Sequence, residues 1–285
     1  MSGTITNNMT NVTKITSSKR FLFRDLLELR DYKDLLYHMF RREVIATYKQ
    51  SIFGVLWFIA QPLSLTLVYY FIFTEIADLK ITKMPPALFY LTGVVAWSTF
   101  QEIYSNTSAC IVNNAHLFSK VYFPRLIAPL SVVSTVLLKT LIQFLGILIF
   151  SAYANYSMGI DVFINPIYLF LSVLMIVLLS FGLGLLTASL SVVYKDLKFI
   201  LSYAVGLLMY VSPVMYSIEA LDKKYAILIK YNPLTSFIEI LRSGIVNSYS
   251  FDQGDFIRSS VVTCIVFVLG ILVFGKVEKD CVDRV

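Results

Sequence analysis

The chain has 285 residues, 57% of them hydrophobic and 15% charged, with a net charge of +6 and a mean hydropathy of +0.73. Soluble domains carry about 25% charged residues, so the composition excludes an ordinary soluble enzyme or nucleic-acid-binding domain and points to a multi-pass membrane protein. Two histidines, and three cysteines without CxxC spacing, exclude a zinc or haem centre and a disulfide framework.

Residues 1–20 are polar and lack the apolar core of a secretory signal, so they read as a flexible cytosolic tail. Two glycosylation sequons in it, at Asn8 and Asn11, would stay unmodified there. Over 21–49, Leu22, Phe23, Leu26, Leu27, Leu35, Leu36, Met39 and Phe40 recur at three- and four-residue steps between charges. The spacing predicts an amphipathic helix. It lies either in the membrane interface or against the protein's own cytosolic surface. Arg41, Arg42 and Lys49 form a cationic shoulder placed to contact the membrane surface or an anionic head group.

A spanning helix needs about 20 apolar residues. Residues 50–275 supply six runs, near 50–74, 87–108, 126–150, 167–190, 199–216 and 256–274. The fold class expected is therefore an all-α polytopic membrane protein with six transmembrane helices. The first run contains Gln61-Pro62. Proline removes a backbone N–H and kinks a helix, which lipid tolerates where neighbours or water satisfy the freed carbonyl. That pair is expected to face the dimer partner or the path, not lipid.

Lysine and arginine set the orientation. Nine basic residues fall in the first 52, and the connections after runs two and four carry Lys120, Arg125, Lys195 and Lys198. The loop between runs three and four carries none. Both termini are expected in the cytosol, with 276–285 a second tail. Residues 217–255 mix charge with short apolar runs and lie on the outer side.

Several constellations invite a chemical reading. Gly270-Ile-Leu-Val-Phe-Gly275-Lys276-Val277 nearly matches a P-loop, but Val277 stands where a magnesium-binding hydroxyl belongs, at the apolar end of run six. The chain is expected to hold no nucleotide itself. Ser131, Thr135, Lys139 and Gln143 are spaced by four and share one helical face. A lysine at that depth must face other helices or a watery cavity, so Lys139 serves either an interhelical contact or a path. Ser180, Gly184 and Ala188 form a small-residue face for helix packing. Tyr69, Tyr70 and Phe73, with Trp97, Phe100 and Tyr104, form either an interfacial aromatic belt or a lining that stacks on sugar rings. Asp and Glu read as confined to span ends and loops. No GxSxG, HExxH or paired carboxylates are seen, so no catalytic residue is assigned.

Four stretches carry a resemblance. TYKQSIFGVLWFIAQPL opens the first run, FSKVYFPRLIAPLS joins runs two and three, YKDLKFIL precedes SPVMYSIEAL, and YNPLTSFIEILRSGI follows. In this order they resemble the membrane permease subunits of bacterial ABC exporters for cell-surface polysaccharides such as O-antigen, capsule and teichoic acid. The resemblance covers most of residues 40–250.

It implies a homodimer in the bacterial inner membrane, working with two separate ATP-binding subunits that hold the ATP and magnesium. The permease itself needs no cofactor and makes no bond. Asn113, Asn114, His116, Leu117, Phe118 and Lys120 would form the coupling helix against the ATPase, and Tyr194, Lys195 and Asp196 a second contact. The outer region 217–255 would hold short re-entrant gate helices, with Tyr216 at its edge. Asn232-Pro233 suits a break between two of them, and Glu239 and Arg242, three apart, are spaced to pair. The path would draw on Gln61, Pro62, Lys139, Gln143 and the aromatics named above. Lys139 has no role that the resemblance supplies. An ABC exporter of drugs or small lipids is the alternative. A membrane-embedded glycosyltransferase would need catalytic acids facing an active site.

Overall fold

Apolar runs of this length keep their backbone groups satisfied in lipid by closing hydrogen bonds within the segment, which favours helices. The computed structural model describes residues 31–49, 53–79, 81, 83–114, 123–159 and 162–280. The described elements are helical: α1 (Lys33–Tyr48), α2 (Leu56–Tyr69, widening into a π turn over Tyr70–Ile76), α3 (Pro86–Asn113), α4 (Ile127–Met158), α5 (Pro166–Val193), α6 (Lys195–Val211), α7 (Lys223–Lys230), α8 (Pro233–Ser243) and α9 (Gln253–Asp280). An isolated antiparallel bridge joins Val162 to Val246.

Local chemistry explains several boundaries. Asn165 and Asn232 each precede a proline at the first turn, and each side-chain oxygen accepts a backbone N–H of that turn, from Ile167 and from Leu234. This is the asparagine cap followed by proline that helix starts favour. α4 stops at Gly159, whose φ of 64° lies in the left-handed region. The turn at Tyr194 is a single residue wide, extended between α5 and α6.

Each of the six apolar runs lies on a helix, but the helices differ in kind. Among the described residues, four stretches are long and apolar enough to cross a membrane: Leu56–Ile76, Ile127–Ser157, Pro166–Val193 and Gln253–Val277. α3 has 28 residues, about 42 Å at 1.5 Å per residue, yet carries Gln101, Glu102, Ser105 and Asn106 near its middle. α6 has 17 residues, about 26 Å, against a hydrocarbon core of about 30 Å. α9 continues helically through Asp280, so residues 276–280 extend the last helix instead of beginning a tail.

α3 is the centre of the packing. Leu88, Phe89, Tyr90, Phe100, Ile103 and Tyr104 are fully buried, against α4, α5 and α8 partners such as Ile147, Ile176 and Phe237. α5 crosses α3 through the expected small face: Ser180, Gly184 and Ala188 are all buried. A Cβ on Gly184 would come within 2.6 Å of the Thr107 Cβ, so glycine sets how closely these helices approach. Exposed apolar side chains on α2 and α9, such as Leu67, Phe71, Ile265 and Val268, suit hydrocarbon as their solvent.

α1 packs on the start of α4, with Met39 buried against Phe123, Ile127 and Ala128. Arg41, Arg42 and Lys49 stay exposed. Residues 1–30, the coupling positions His116, Leu117, Phe118 and Lys120, and residues 281–285 lie outside the described residues.

Candidate functional site

The four-spaced face of α4 forms a polar seam whose four members reach groups on three other helices. The Ser131 and Thr135 hydroxyls donate to the two carboxylate oxygens of Glu43 on α1, at 3.2 and 3.1 Å. Lys139 meets Glu102 of α3 at 2.7 Å and lies over the Phe58 ring. Gln143 donates to the backbone carbonyl of Phe58 on α2 at 3.2 Å. Burial pushes the Glu43 carboxyl above its usual range, while the Thr135 and Ser131 hydroxyls and the Arg42 charge pull it back.

The Phe58 carbonyl has a particular need. In a helix it would accept from the N–H four residues on, but that residue is Pro62, which has none. Gln143 supplies a donor there, and α2 runs through Pro62 without a break. Pro62 is buried beside the first cavity, and Gln61, on the same wall, is exposed.

Two cavities flank the seam. One of about 300 Å³ lies among α2, α3 and α4 and is lined by Gln61, Pro62, Trp97, Gln101, Glu102, Lys139 and Gln143, among others. The second, about 380 Å³, lies among α1, α3 and α4 and is lined by Arg42, Glu43, Asn106, Asn113, Asn114 and Thr135, among others. Glu102 and Asn106 belong to both walls. The structure thus brings Gln61, Pro62, Trp97, Lys139 and Gln143 together in one place, and Arg42, Asn113 and Asn114 in the adjoining one.

Trp97 borders the first cavity but is itself buried, with its ring centroid 5.5 Å from that of Phe100. Phe100 and Tyr104 are fully buried, stacked on one another, and the Tyr104 hydroxyl lies 3.2 Å from that of Thr187. They are interhelical packing groups and offer no open face to a sugar in this chain. Tyr69, Phe73 and Tyr90 form a separate cluster at the far end of α2, with Tyr70 half-buried beside it.

Over residues 217–255, α7 and α8 are short and meet at Asn232-Pro233, where Asn232 also donates to the Ser212 hydroxyl at 2.9 Å. Tyr216 donates to the Tyr210 carbonyl at 2.9 Å. Arg242 is fully buried: its guanidinium lies 3.4 Å over the Phe89 ring and donates to the Phe89 carbonyl at 3.1 Å. Gly93 leaves it room, since a Cβ there would sit 3.0 Å from a guanidinium nitrogen. The ion pairs among the described residues do not join Glu239 to Arg242; burial dominates Glu239, pushing its carboxyl up to about 7.

Three features escaped the sequence reading. Glu102 lies mid-helix in α3, so the acids are not confined to span ends and loops. Glu43 and Asn106 complete the seam and its cavities. A charge of opposite sign inside a second apolar run was the available signal, because a buried lysine in lipid needs a partner. The P-loop lookalike is helical throughout, and its Gly270 is a contact point with Gly182 of α5. No cradle of backbone amides exists there. Among the described residues, no group of three or more His, Cys, Asp or Glu side chains is placed to hold a metal ion. Chemically, the site offers amides, hydroxyls, the Lys139–Glu102 pair, and the charges of Arg42 and Glu43.

Comparison with known proteins supplies the frame for this site. The chain is 28% identical over 255 residues to an O-antigen export system permease protein RfbA of Klebsiella pneumoniae, covering 86% of this chain and 92% of that protein. It is 28% identical over 222 residues to an O-antigen export permease of Myxococcus xanthus, covering 76% and 82% of the two chains. A polysialic acid transport protein KpsM of Escherichia coli is 23% identical over 247 residues, covering 85% of this chain and 92% of that protein. Residues 34–246, most of the chain and all of the seam and both cavities, match the family described as ABC-2 type transporter. The chain therefore belongs to the ABC-2 type transporter family.

Proposed function

We propose that this chain is the permease subunit of an ATP-driven exporter that moves lipid-linked polysaccharide across the bacterial cytoplasmic membrane. The observation that carries the reading is its similarity, over most of its length, to relatives named for exporting O-antigen and polysialic acid. The helical architecture supports it, and so does a polar seam built into otherwise apolar helices.

On this reading α2, α3, α4, α5, α6 and α9 are six spans with both termini in the cytosol. Two copies pair, and each works with a separate ATP-binding subunit that holds the ATP and magnesium. The permease makes no bond. It supplies contacts that differ between two states of the dimer, and nucleotide binding in the partner shifts the population between them. Asn113 and Asn114, at the end of α3, lead into the segment that docks on the ATPase, and the Tyr194 to Asp196 turn docks beside it. α7 and α8 form the outer gate, entered without spanning. Arg41, Arg42 and Lys49 hold the cytosolic end of α1 at anionic lipid or at the glycolipid head.

Deleting the gene and staining surface glycan tests the reading. Loss of the surface polymer, with lipid-linked glycan accumulating inside the cell, is the expected result. An unchanged surface polymer rejects the reading. Complementation with Arg41→Gln/Arg42→Gln/Lys49→Gln should restore assembly with the ATPase but not full export. Full export by that variant removes the head-group role alone.

A further inference from the structure

We propose that Lys83 is a latch. It holds residues 217–231, the Ile218–Ala220 turn with α7, against a frame made of α3 and α8, and export requires this segment to swing away at Glu219 while the frame stays still. This rests on the polysaccharide-export reading above, and it names the moving part and its fastening, which that reading leaves open.

The frame is tied down along its length. α8 is buried over most of its residues, from Leu234 to Arg242. The Arg242 guanidinium stacks on Phe89, donates to the Phe89 carbonyl and lies 3.5 Å from the Thr92 hydroxyl, all on α3. Ser172 of α5 donates to the Phe237 carbonyl at 2.7 Å. Past the end of α8, the Gly244 carbonyl accepts the Asn165 N–H at 2.8 Å, and Val246 bridges to Val162. Moving α8 would uncover apolar side chains and leave a buried guanidinium without these acceptors, which is costly. Lys83 belongs to the same frame. Its carbonyl accepts the Ser248 hydroxyl at 3.0 Å, and its ammonium lies 5.7 Å from the centre of the buried Tyr249 ring.

The segment in front of the frame is held at its two ends. Residues 222–225 are exposed, and α7 turns Ile229 inward. At the rear, Arg258 of α9 donates to the Lys230 carbonyl, Lys230 pairs with Asp255 at 3.6 Å, and Asn232 holds Ser212. At the front, Ile218 is buried and the Glu219 carboxylate pairs with Lys83. The Lys83 and Glu219 side chains are 32% and 55% exposed. Water therefore competes for both charges, the pair is weak, and opening it strands no buried ion. That is the opposite of Arg242, whose release would. A lysine fixed by its own backbone and by a buried ring, gripping a carboxylate on an exposed segment, is a fastening that opens reversibly, with the rear contacts and Asn232-Pro233 as the pivot.

Cross-linking in cells tests which part moves. The background is Cys110→Ala/Cys264→Ala/Cys281→Ala, and the readout is newly made surface glycan. A bifunctional methanethiosulfonate on Lys83→Cys/Glu219→Cys should stop export, and a reducing thiol should restore it. A monofunctional methanethiosulfonate on the same pair should leave export running. The bifunctional reagent on Val162→Cys/Val246→Cys, inside the frame, should leave it running too. Export that continues through the Lys83→Cys/Glu219→Cys cross-link overturns the latch. Arrest by the monofunctional reagent assigns the effect to crowding and also overturns it. Arrest by the Val162→Cys/Val246→Cys cross-link shows that the frame moves and overturns the division into frame and segment.

A second measurement reads the fastening itself. Ile218→Cys, in the same background, lies under the front of the segment. Its labelling by a maleimide is followed in the full chain with its co-purifying ATP-binding subunit, in lipid discs. Lys83→Gln and Glu219→Gln should each speed labelling about two- to fivefold, and Lys83→Glu with Glu219→Lys should return it toward the parent rate. Unchanged labelling in both single variants overturns the proposal. If surface polymer is lost on gene deletion while the Lys83→Cys/Glu219→Cys cross-link leaves export intact, the exporter reading stands and the latch alone falls.

Discussion

The Gln143 side chain donates to the Phe58 carbonyl at 3.2 Å, at the place where Pro62 withholds the helical N–H. Helix α4 thus repairs a defect in α2, and the repair fixes Gln61 and Pro62 against the seam. Gln143→Leu keeps the bulk and leaves the Phe58 carbonyl without this donor, at a cost of about 1–2 kcal/mol. Pro62→Ala restores the backbone N–H. In the Pro62→Ala background the Gln143→Leu change should therefore be close to neutral. Thermal unfolding of the four proteins in detergent measures the coupling. Additive effects would show that the hydrogen bond does not compensate for the proline. Wild-type export by Pro62→Ala would make the proline a fixed bend without a transport role.

Lys139 and Glu102 stand on facing helices, 2.7 Å apart. The pair is partly buried, so removing one partner leaves the other half-desolvated and unpaired and costs stability, whereas replacing both with apolar groups is often neutral. Lys139→Met alone should lower the melting temperature sharply, and adding Glu102→Leu should recover most of the loss. The charge-reversed pair, Lys139→Glu with Glu102→Lys, should fold as well. No recovery in either double variant would show that Lys139 acts through the cavity and not through Glu102.

How much of this was legible follows from the range of the interactions. Periodicity and caps are local, so the apolar runs, the Asn-Pro starts at Asn165 and Asn232, and the shared face of Ser131, Thr135, Lys139 and Gln143 were readable from spacing. The partners of that face were not. Glu43 and Glu102 lie 88 and 37 positions away from Ser131 and Lys139, and helix packing, not sequence proximity, brings them in. Trp97, Phe100 and Tyr104 share one side of α3 and one buried cluster, and which of them also borders a cavity is set by the neighbouring helices, which composition does not show. Composition also cannot tell a polar helix that crosses lipid inside a bundle from one that does not, which is why α3 stands apart from the more apolar spans.

The near-match to a nucleotide loop makes its own test, because its two glycines differ. A Cβ on Gly270 would lie 2.5 Å from the Gly182 carbonyl oxygen, and one on Gly182 would lie 2.7 Å from the Phe267 Cα. These are backbone atoms and cannot swing aside. Gly270→Ala and Gly182→Ala should each push α5 and α9 apart and cost about 1–3 kcal/mol. Gly275 has open space around its would-be Cβ, so Gly275→Ala should be neutral or slightly stabilising through helix propensity. Equal damage from Gly270→Ala and Gly275→Ala would contradict the packing account.

Glu239 lies one turn before the buried Arg242 on α8. Burial pushes its carboxyl from 4.5 up to about 7; Arg242 and Lys230 pull it down, and Asp255 and Glu219 push it up further. The folded protein therefore holds this proton more tightly than the unfolded chain. The stability tied to the proton is complete below about 4.5 and is lost as pH rises through about 7. Glu239→Gln keeps the shape and removes the titration. Its melting temperature should exceed the parent's at pH 8, and the gap should close toward pH 5. The free-energy gap at pH 8 is at most about 3 kcal/mol, from 1.36 kcal/mol per pKa unit. A variant less stable than the parent at pH 8 would show that ionised Glu239 stabilises the Arg242 guanidinium across the turn, and that burial is the weaker influence.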